Sequence, residues 1–384
     1  MRWERHVWDL SQYTQTSFEG AVLSMRDSFL LSRVLLQFGE DAATVIADLS
    51  AAAMTPDGSL WVGSDECIAV ERLQQVESCV YGNHQAFQIG DFVELFDEKS
   101  EVDIEALSYS AGYLWVIGSH SSKRKNAKGK STQKDMQRLA TIKHDINRYL
   151  LARIPVINGK LVKSCQLSDG TQLSAAALQK TQENNILMQA LKDDEHIGPF
   201  LNIELPSKDN GLDIEGMAVA GQKVFLGLRG PVLRGWAIIL ELELEADEPG
   251  ILTLKKLEAD KLYRKHFLNL DGLGVRDLYL HNEDLLILAG PTMTLSGEQQ
   301  IFRLKDVLHH NDDCIWHGES DGLEALFDIP LTMGSDFAEG MTLFPCLGYK
   351  DSLLVVYDRP AENRLVGEDA VLGDVFRLPT NTGS

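Results

Sequence analysis

Paired apolar runs recur along the 384-residue chain, each pair joined by a turn rich in Gly or Asp. Most pairs open on an acidic residue followed by a small one and end in polar residues. Self-similarity at a period of tens of residues marks a repeat architecture. Strand pairs with such turns belong to β repeats and not to helical solenoids. The predicted fold class is therefore all-β: a β-propeller of six blades, with five the alternative, and with helical insertions between about residues 130 and 195.

The clearest copy opens as Asp213-Ile214-Glu215-Gly216-Met217-Ala218 and continues as Lys223-Val224-Phe225-Leu226-Gly227-Leu228-Arg229-Gly230-Pro231. Asp103-Ile104-Glu105-Ala106-Leu107 leads to Tyr113-Leu114-Trp115-Val116-Ile117 and ends Gly118-Ser119-His120-Ser121. Leu270-Asp271-Gly272-Leu273-Gly274 leads to Asp284-Leu285-Leu286-Ile287-Leu288. Ala338-Glu339-Gly340-Met341 leads to Ser352-Leu353-Leu354-Val355-Val356-Tyr357 and ends Asp358-Arg359. A non-acidic copy runs from Leu49-Ser50-Ala51 to Leu60-Trp61-Val62 and ends Gly63-Ser64-Asp65-Glu66. The openings fall at residues 50, 105, 215, 271 and 339, and the long interval from 105 to 215 holds either a degenerate sixth blade or insertions alone.

Taken in order, Gly20-Ala21-Val22-Leu23 is a candidate strand, and residues 29–38 read as an edge strand of the last blade. Pairing of 29–38 with the C-terminal run 371–378 would close the ring and leave no open edge. The chain, 1–384, then forms one propeller domain. Residues 49–100 and 103–165 give two blades, the second interrupted by an insertion over 122–148. The basic run Lys123-Arg124-Lys125-Asn126-Ala127-Lys128-Gly129-Lys130 reads as a solvated loop, or as a contact for an anionic ligand, since it follows His120. A helix is expected over about 133–147, then a strand over 149–154. A second insertion, 173–195, reads as the best helix, with Leu178, Ile186, Leu187, Ala190 and Leu191 as its stripe and Gly198-Pro199 as its stop. Residues 200–258 form a blade ending in an edge strand, 237–244, whose alternating acids face water. The next blade spans 267–307. His309, His310, Asp312, Asp313, Cys314 and His317 lack ordered ligand spacing and read as a polar loop.

Lys and Arg number 36 against 57 Asp and Glu, a net charge of −21. A field of that sign opposes nucleic acid and anionic membrane as partners. Met1-Arg2-Trp3-Glu4-Arg5-His6 lacks the apolar core of a secretory signal, and no apolar run approaches transmembrane length. Cys67, Cys79, Cys165, Cys314 and Cys346 are scattered and have no Cys-x-x-Cys spacing, the pattern of reduced thiols in a cytoplasmic protein. The absence of a glycine-rich, lysine-containing phosphate loop and of a Gly-x-Ser-x-Gly elbow excludes a nucleotide cofactor and a serine-hydrolase elbow from the expectation.

In a hairpin, the start of the first strand and the end of the second share one edge of the sheet. Glu105, Glu215, Asp271 and Glu339 should then surround one mouth of the channel, with His120, Arg229, Asp358 and Arg359 close by. Asp65 and Glu66 would sit at the same edge. Trp61, Trp115, Phe225 and Trp236 occupy strand positions and read as core.

The two Asp-Ile-Glu openings, with Gly118-Ser119-His120-Ser121, Gly227-Leu228-Arg229-Gly230-Pro231, Gly274-Val275-Arg276-Asp277-Leu278 and Leu288-Ala289-Gly290-Pro291, resemble a bacterial family, domain-of-unknown-function family 3616. The resemblance runs from about residue 30 to 378 and implies a propeller-like fold without a defined activity. More distantly, the motif style is similar to the esterase-like domain of phytase and to gluconolactonase-type propellers, which implies a divalent cation at the mouth. The segments around His120 and Arg229 depart from those enzymes.

Glu105, Glu215, Asp271 and Glu339 are the expected ligands of a hard cation, calcium, magnesium or manganese. His120 and Glu215 are the candidate catalytic acid–base groups. Arg229, Arg276 and Arg359 are the candidate clamps for a small anionic substrate. The expected function is a divalent-metal-dependent hydrolase of phosphoesterase or esterase/lactonase type. The alternative is a non-catalytic propeller, scaffold or ligand sensor, whose acids pair structurally with the arginines and whose small residues merely provide space.

Overall fold

The structure, a computed structural model, describes residues 28–39, 42–97, 100–293 and 296–379. Its frame is five inner hairpins. The inner strands are Leu49–Met54, Ile104–Ser110, Asp213–Ala220, Gly274–His281 and Phe337–Leu343. Each packs beside the next, and the fifth returns to the first, so they form a closed ring around a channel. We number the corresponding blades 1 to 5.

Blade 1 adds Leu60–Ser64, Ala69–Glu77 and Val80–Gln88 in antiparallel order. Blade 2 adds Tyr113–Gly118, Leu151–Ile157 and Ala176–Leu178. Blade 3 adds Lys223–Leu233, Trp236–Glu248 and Arg264–Asn269. Blade 4 adds Asp284–Gly290, Gln299–Leu304 and Leu323–Ile329. Blade 5 adds Ser352–Asp358 and Ala370–Arg377, and its outermost strand is Leu30–Gln37 from the other end of the chain. That strand also meets Val80–Gln88 of blade 1 in a short parallel pairing, Leu35 to Val80 and Leu36 to Tyr81. Its inward residues Val34 and Leu36 are fully buried, which anchors the closure by burial as well as by the ladder. Gly20-Ala21-Val22-Leu23 lies outside the described residues.

The inner strands are buried over most of their length because neighbouring blades cover both of their faces. Trp61, Trp115 and Phe225 are buried in these layers as expected, whereas Trp236 is half-buried and meets His317 edge-on at 5.1 Å.

Several elements differ from the sequence reading. The interval between residues 105 and 215 holds no further inner hairpin among its described residues, so the sixth blade that was favoured is not found there. It holds insertions instead. The helix expected over 133–147 covers only Thr132–Leu139, capped by the Ser131 side chain. Residues 173–195 are not one helix: Gln172–Ser174 and Ala176–Leu178 are strands, and the helix runs Ile186–Lys192. Leu178 belongs to blade 2, and Asn185 starts the helix by accepting from Met188 N. Gly198-Pro199 begins a second short helix, Gly198–Asn202, since proline suits a first turn.

The strand read as a wet edge, 237–244, is interior to blade 3. Glu241 is fully buried there, between Lys223 at 3.0 Å, Arg264 at 2.7 Å and His266 at 3.0 Å. Burial would raise its pKa, but hydrogen bonds from His266 and Lys223 hold it below the usual value. No helix among the described residues is long and apolar enough to cross a membrane.

Candidate functional site

Each inner strand carries a β-bulge at the same place. Pairing skips from Leu49 to Ala51, Ile104 to Ala106, Ile214 to Gly216, Val275 to Asp277 and Ala338 to Gly340. The residues passed over are Ser50, Glu105, Glu215, Arg276 and Glu339. A bulge re-aims the side chain it carries, and here five of them converge on one mouth. The residue after the bulge lies against the next blade. A Cβ on Gly216 would stand 2.9 Å from Leu278 Cγ, and one on Gly340 would stand 2.8 Å from Ala51 Cα. Space alone explains these two glycines. Blade 4 uses the position differently: Asp277 accepts from Met341 N of blade 5 and from Leu278 N, both at 2.7 Å.

Arg276 occupies the bulge where three other blades carry glutamate. Its Nη2 donates to Glu339, and its Nε lies 3.0 Å from Glu215 Oε2, in contact but out of line for a hydrogen bond. Arg229, from the second strand of blade 3, contacts Asp213 and reaches Glu215 Oε1 at 2.5 Å. The ladder Asp213–Arg229–Glu215–Arg276–Glu339 therefore ties blades 3, 4 and 5 together. On the other side, Arg148 holds Asp103 at 2.5 Å and Glu101 at 3.0 Å. Lys123 reaches the same two acids at 3.3 and 2.6 Å.

Glu105 stands between these groups. It is 9% exposed and has no hydrogen-bond or ion-pair partner among the described residues. Carboxylate oxygens of Glu105, Asp213 and Glu215 lie within 4.8 Å of one another. Burial, with Asp103, Glu215 and Asp213 adding to it, pushes the Glu105 pKa well above its usual value. Burial also raises Asp213, against the opposing charge of Arg229. It lifts Glu215 to about 7 even though Arg229 and Arg276 pull it down. Four carboxylates (Glu105, Asp213, Glu215, Glu339) against two guanidinium groups (Arg229, Arg276) leave a formal charge of −2.

Beside the acids is a cavity of ≈240 Å³ whose walls include Lys208, Arg229, Arg276 and Arg359. Only Glu339 and Asp358 supply negative charge to its lining. Asp65 and Asp358 lie at the same edge; burial and the nearby Asp103 and Asp358 raise Asp65 to about 8. Glu66 is exposed. Within the basic run, Lys123 is bound at the mouth and Arg124 pairs with Asp209 at 2.7 Å, while Lys128 and Lys130 face solvent.

Two expected site residues are placed elsewhere. Asp271 is exposed in the turn before the blade 4 inner strand, with φ of 55°, and is not at the mouth. Gly272, next to it, is a turn glycine with open space around it. The bulge of blade 4 comes five residues after Asp271, at Arg276. His120 is 1% exposed, and both ring nitrogens are occupied: one shares a hydrogen bond with Gly118 O and the other with Asn185 Nδ2, each at 2.8 Å. Burial lowers its pKa to about 4. It lies against a different cavity, of ≈510 Å³, beneath the insertions. Sequence reasoning left out Asp213 as a carboxylate of the cluster, although it opens the motif, and Lys208 of the cavity. In the 309–317 loop, His310 packs edge-on against Trp316 at 4.6 Å, and no three of its acid, His and Cys groups converge as ligands.

Fold and site thus define a propeller with a buried acid–arginine mouth. The chain belongs to the family described as protein of unknown function (DUF3616), whose model matches residues 48–374. No match was found among curated proteins. Among solved structures, virginiamycin B lyase from Staphylococcus aureus is similar at 10% identity and a TM-score of 0.36, over 90% of this chain and 99% of that one. A protein described as a "putative gluconolactonase" is similar at 10% identity and 0.36, over 87% and 76%. A luciferin-regenerating enzyme is similar at 9% identity and 0.34, over 87% and 78%. The propeller assignment rests on the strand pairing above and not on these likenesses.

Proposed function

We propose that this propeller hydrolyses a small anionic ester, a phosphoester or a lactone, at its acid–arginine mouth, with a divalent cation held by Glu105, Asp213 and Glu215. The observation that carries the reading is Glu105, a buried carboxylate facing two others with no counter-charge of its own. Hard cations take carboxylate oxygens, and one such ion matches the formal −2 of the cluster. When bound, it would supply Lewis acidity and a water of lowered pKa.

The chain's own groups divide the remaining work. Arg229 and Arg276 belong both to the ladder and to the neighbouring cavity, so they can hold a substrate oxyanion while fixed by Asp213, Glu215 and Glu339. Lys208 and Arg359 add charge at the rim. Glu215 serves the cation as a ligand: Arg229 meets its Oε1 and Arg276 faces its Oε2, so it is given no proton-transfer role. His120 is not assigned a proton-transfer role, because both of its nitrogens are engaged.

The continuity of the ladder favours a second reading, in which the mouth binds an anion without turning it over. Elemental analysis of gently purified protein, with Glu105→Gln as control, separates the two. Glu105→Gln removes the uncompensated acid and leaves the ladder in place. About one equivalent of calcium, magnesium or manganese, lost in the variant, supports the hydrolase and directs screening to phosphoesters and lactones. No metal, even after each ion is added back, refutes it and leaves the binding module.

A further inference from the structure

The two ends of the channel are chemically opposite. The inner strands start at the charged mouth and all run to the other end, where Met54, Tyr109, Val219, Tyr279, Leu280 and Leu343 stand near their last residues. From Glu105 to Tyr109 the strand spans roughly 13 Å, so the two mouths are separate places. The far mouth is a cavity of ≈540 Å³, walled by these side chains together with backbone and small residues of all five blades. None of its lining residues is an Asp, Glu, Lys or Arg, in a chain where 24% of residues are charged. Its volume is that of a small-molecule site, and such sites are mostly apolar with a few polar groups that fix orientation.

One such group is present. The Tyr279 hydroxyl belongs to a half-buried ring in the wall and has no hydrogen-bond partner among the described residues. A donor left free in an apolar wall costs little only while water or a ligand acceptor reaches it. Tyr109 supplies a second ring in the same wall, so a flat apolar body would find aromatic faces as well as Leu280 and Leu343.

We propose that this far mouth is a second binding site, for an uncharged small molecule with an aromatic or apolar body and one hydrogen-bond acceptor. The absence of charge in the lining selects against anions, since an anion moved there would lose its hydration, find no cationic partner in the wall and meet the field of Asp57 at Tyr109. The site is independent of any reaction at the charged mouth.

The test uses 6-propionyl-2-(dimethylamino)naphthalene, an uncharged fluorophore that carries a carbonyl acceptor and emits further to the blue in apolar surroundings. The full-length protein should bind it saturably at one site with a blue shift. Leu280→Lys should weaken binding by at least about tenfold, and Tyr279→Phe by a few-fold through loss of the donor. Ile315→Lys, which adds the same charge at a residue 58% exposed and outside this cavity, should bind as wild type does. If circular dichroism shows that Leu280→Lys does not fold, Ser108→Arg tests the same wall. No saturable binding, or binding that Leu280→Lys and Ser108→Arg leave unchanged, would overturn the proposal. So would sedimentation showing that the wild type is a dimer and Leu280→Lys a monomer, since the cavity would then be filled by a second copy.

Discussion

The stability of Glu215→Gln relative to wild type, in metal-free protein, should rise with pH. Glu215 is 3% exposed, and its carboxyl titrates at about 7 in the folded chain against an ordinary value of 4.5. Between those values the folded state holds a proton that the unfolded chain has released, so the stability Glu215 contributes is full below 4.5 and is lost as pH rises through 7. Glutamine imitates the protonated side chain and does not titrate. The stability difference, variant minus wild type, should therefore shift by about 2–3 kcal/mol in favour of glutamine between pH 5 and pH 8. Taking the difference also cancels His120, whose pKa of about 4 makes an opposite contribution, present above 6.5 and lost in acid. The assay is urea unfolding with a chelator present, followed by circular dichroism at both pH values. A difference that does not change with pH, or that turns against glutamine at pH 8, would refute the claim that Glu215 is a strained buried acid.

Three further outcomes follow from named contacts. Glu241→Gln leaves Lys223, Arg264 and His266 around a neutral group, and should cost about 3–5 kcal/mol at pH 7. Because the Glu241 pKa is lowered on folding, that cost should shrink as pH falls through the carboxylate range, which urea titrations at two pH values would show. Gly216→Ala should lower stability by about 1–3 kcal/mol through crowding against Leu278. Gly272→Ala should cost only about 1 kcal/mol from its positive φ, and thermal unfolding of the pair compares the two positions. Leu36→Ala in the closing strand should cost about 2–5 kcal/mol, whereas Leu30→Ala, at a residue 45% exposed, should scarcely change the melting temperature.

Much of the frame was readable because the hairpins repeat a chemical pattern that packing requires. Apolar pairs such as Ile104 and Leu107, or Ile214 and Met217, stand three residues apart around the bulge, and the closing strand announced itself by an apolar run with no partner nearby in sequence. In blade 4 the acid of the opening, Asp271, does not mark the bulge. Val275 and Leu278 keep the same apolar spacing, which places Arg276 and not Asp271 at the bulge. The insertions were harder to read, since Leu178 looks the same in a helical stripe as in a strand, and only its pairing with blade 2 distinguishes them. For His120, the sequence shows that it ends a strand, but not that its φ is a left-handed 55° or that its ring meets Asn185.

The arginine at the blade 4 bulge also sets the charge balance of the mouth. Were all four charged bulges acidic, Arg229 alone would face five carboxylates, and buried like charges at such distances relieve themselves by taking up protons. Arg276 instead pairs Glu215 with Glu339 and pulls the Glu215 pKa down, while Glu105 makes no ion pair among the described residues and is pushed well above its usual value. Two of the four carboxylate charges are thus matched by arginine, and the remaining two are concentrated where Glu105, Asp213 and Glu215 meet. Protons taken up by that cluster tie the stability of the ring to pH. A residue that breaks the repeat therefore fixes how the acids of the mouth are paired.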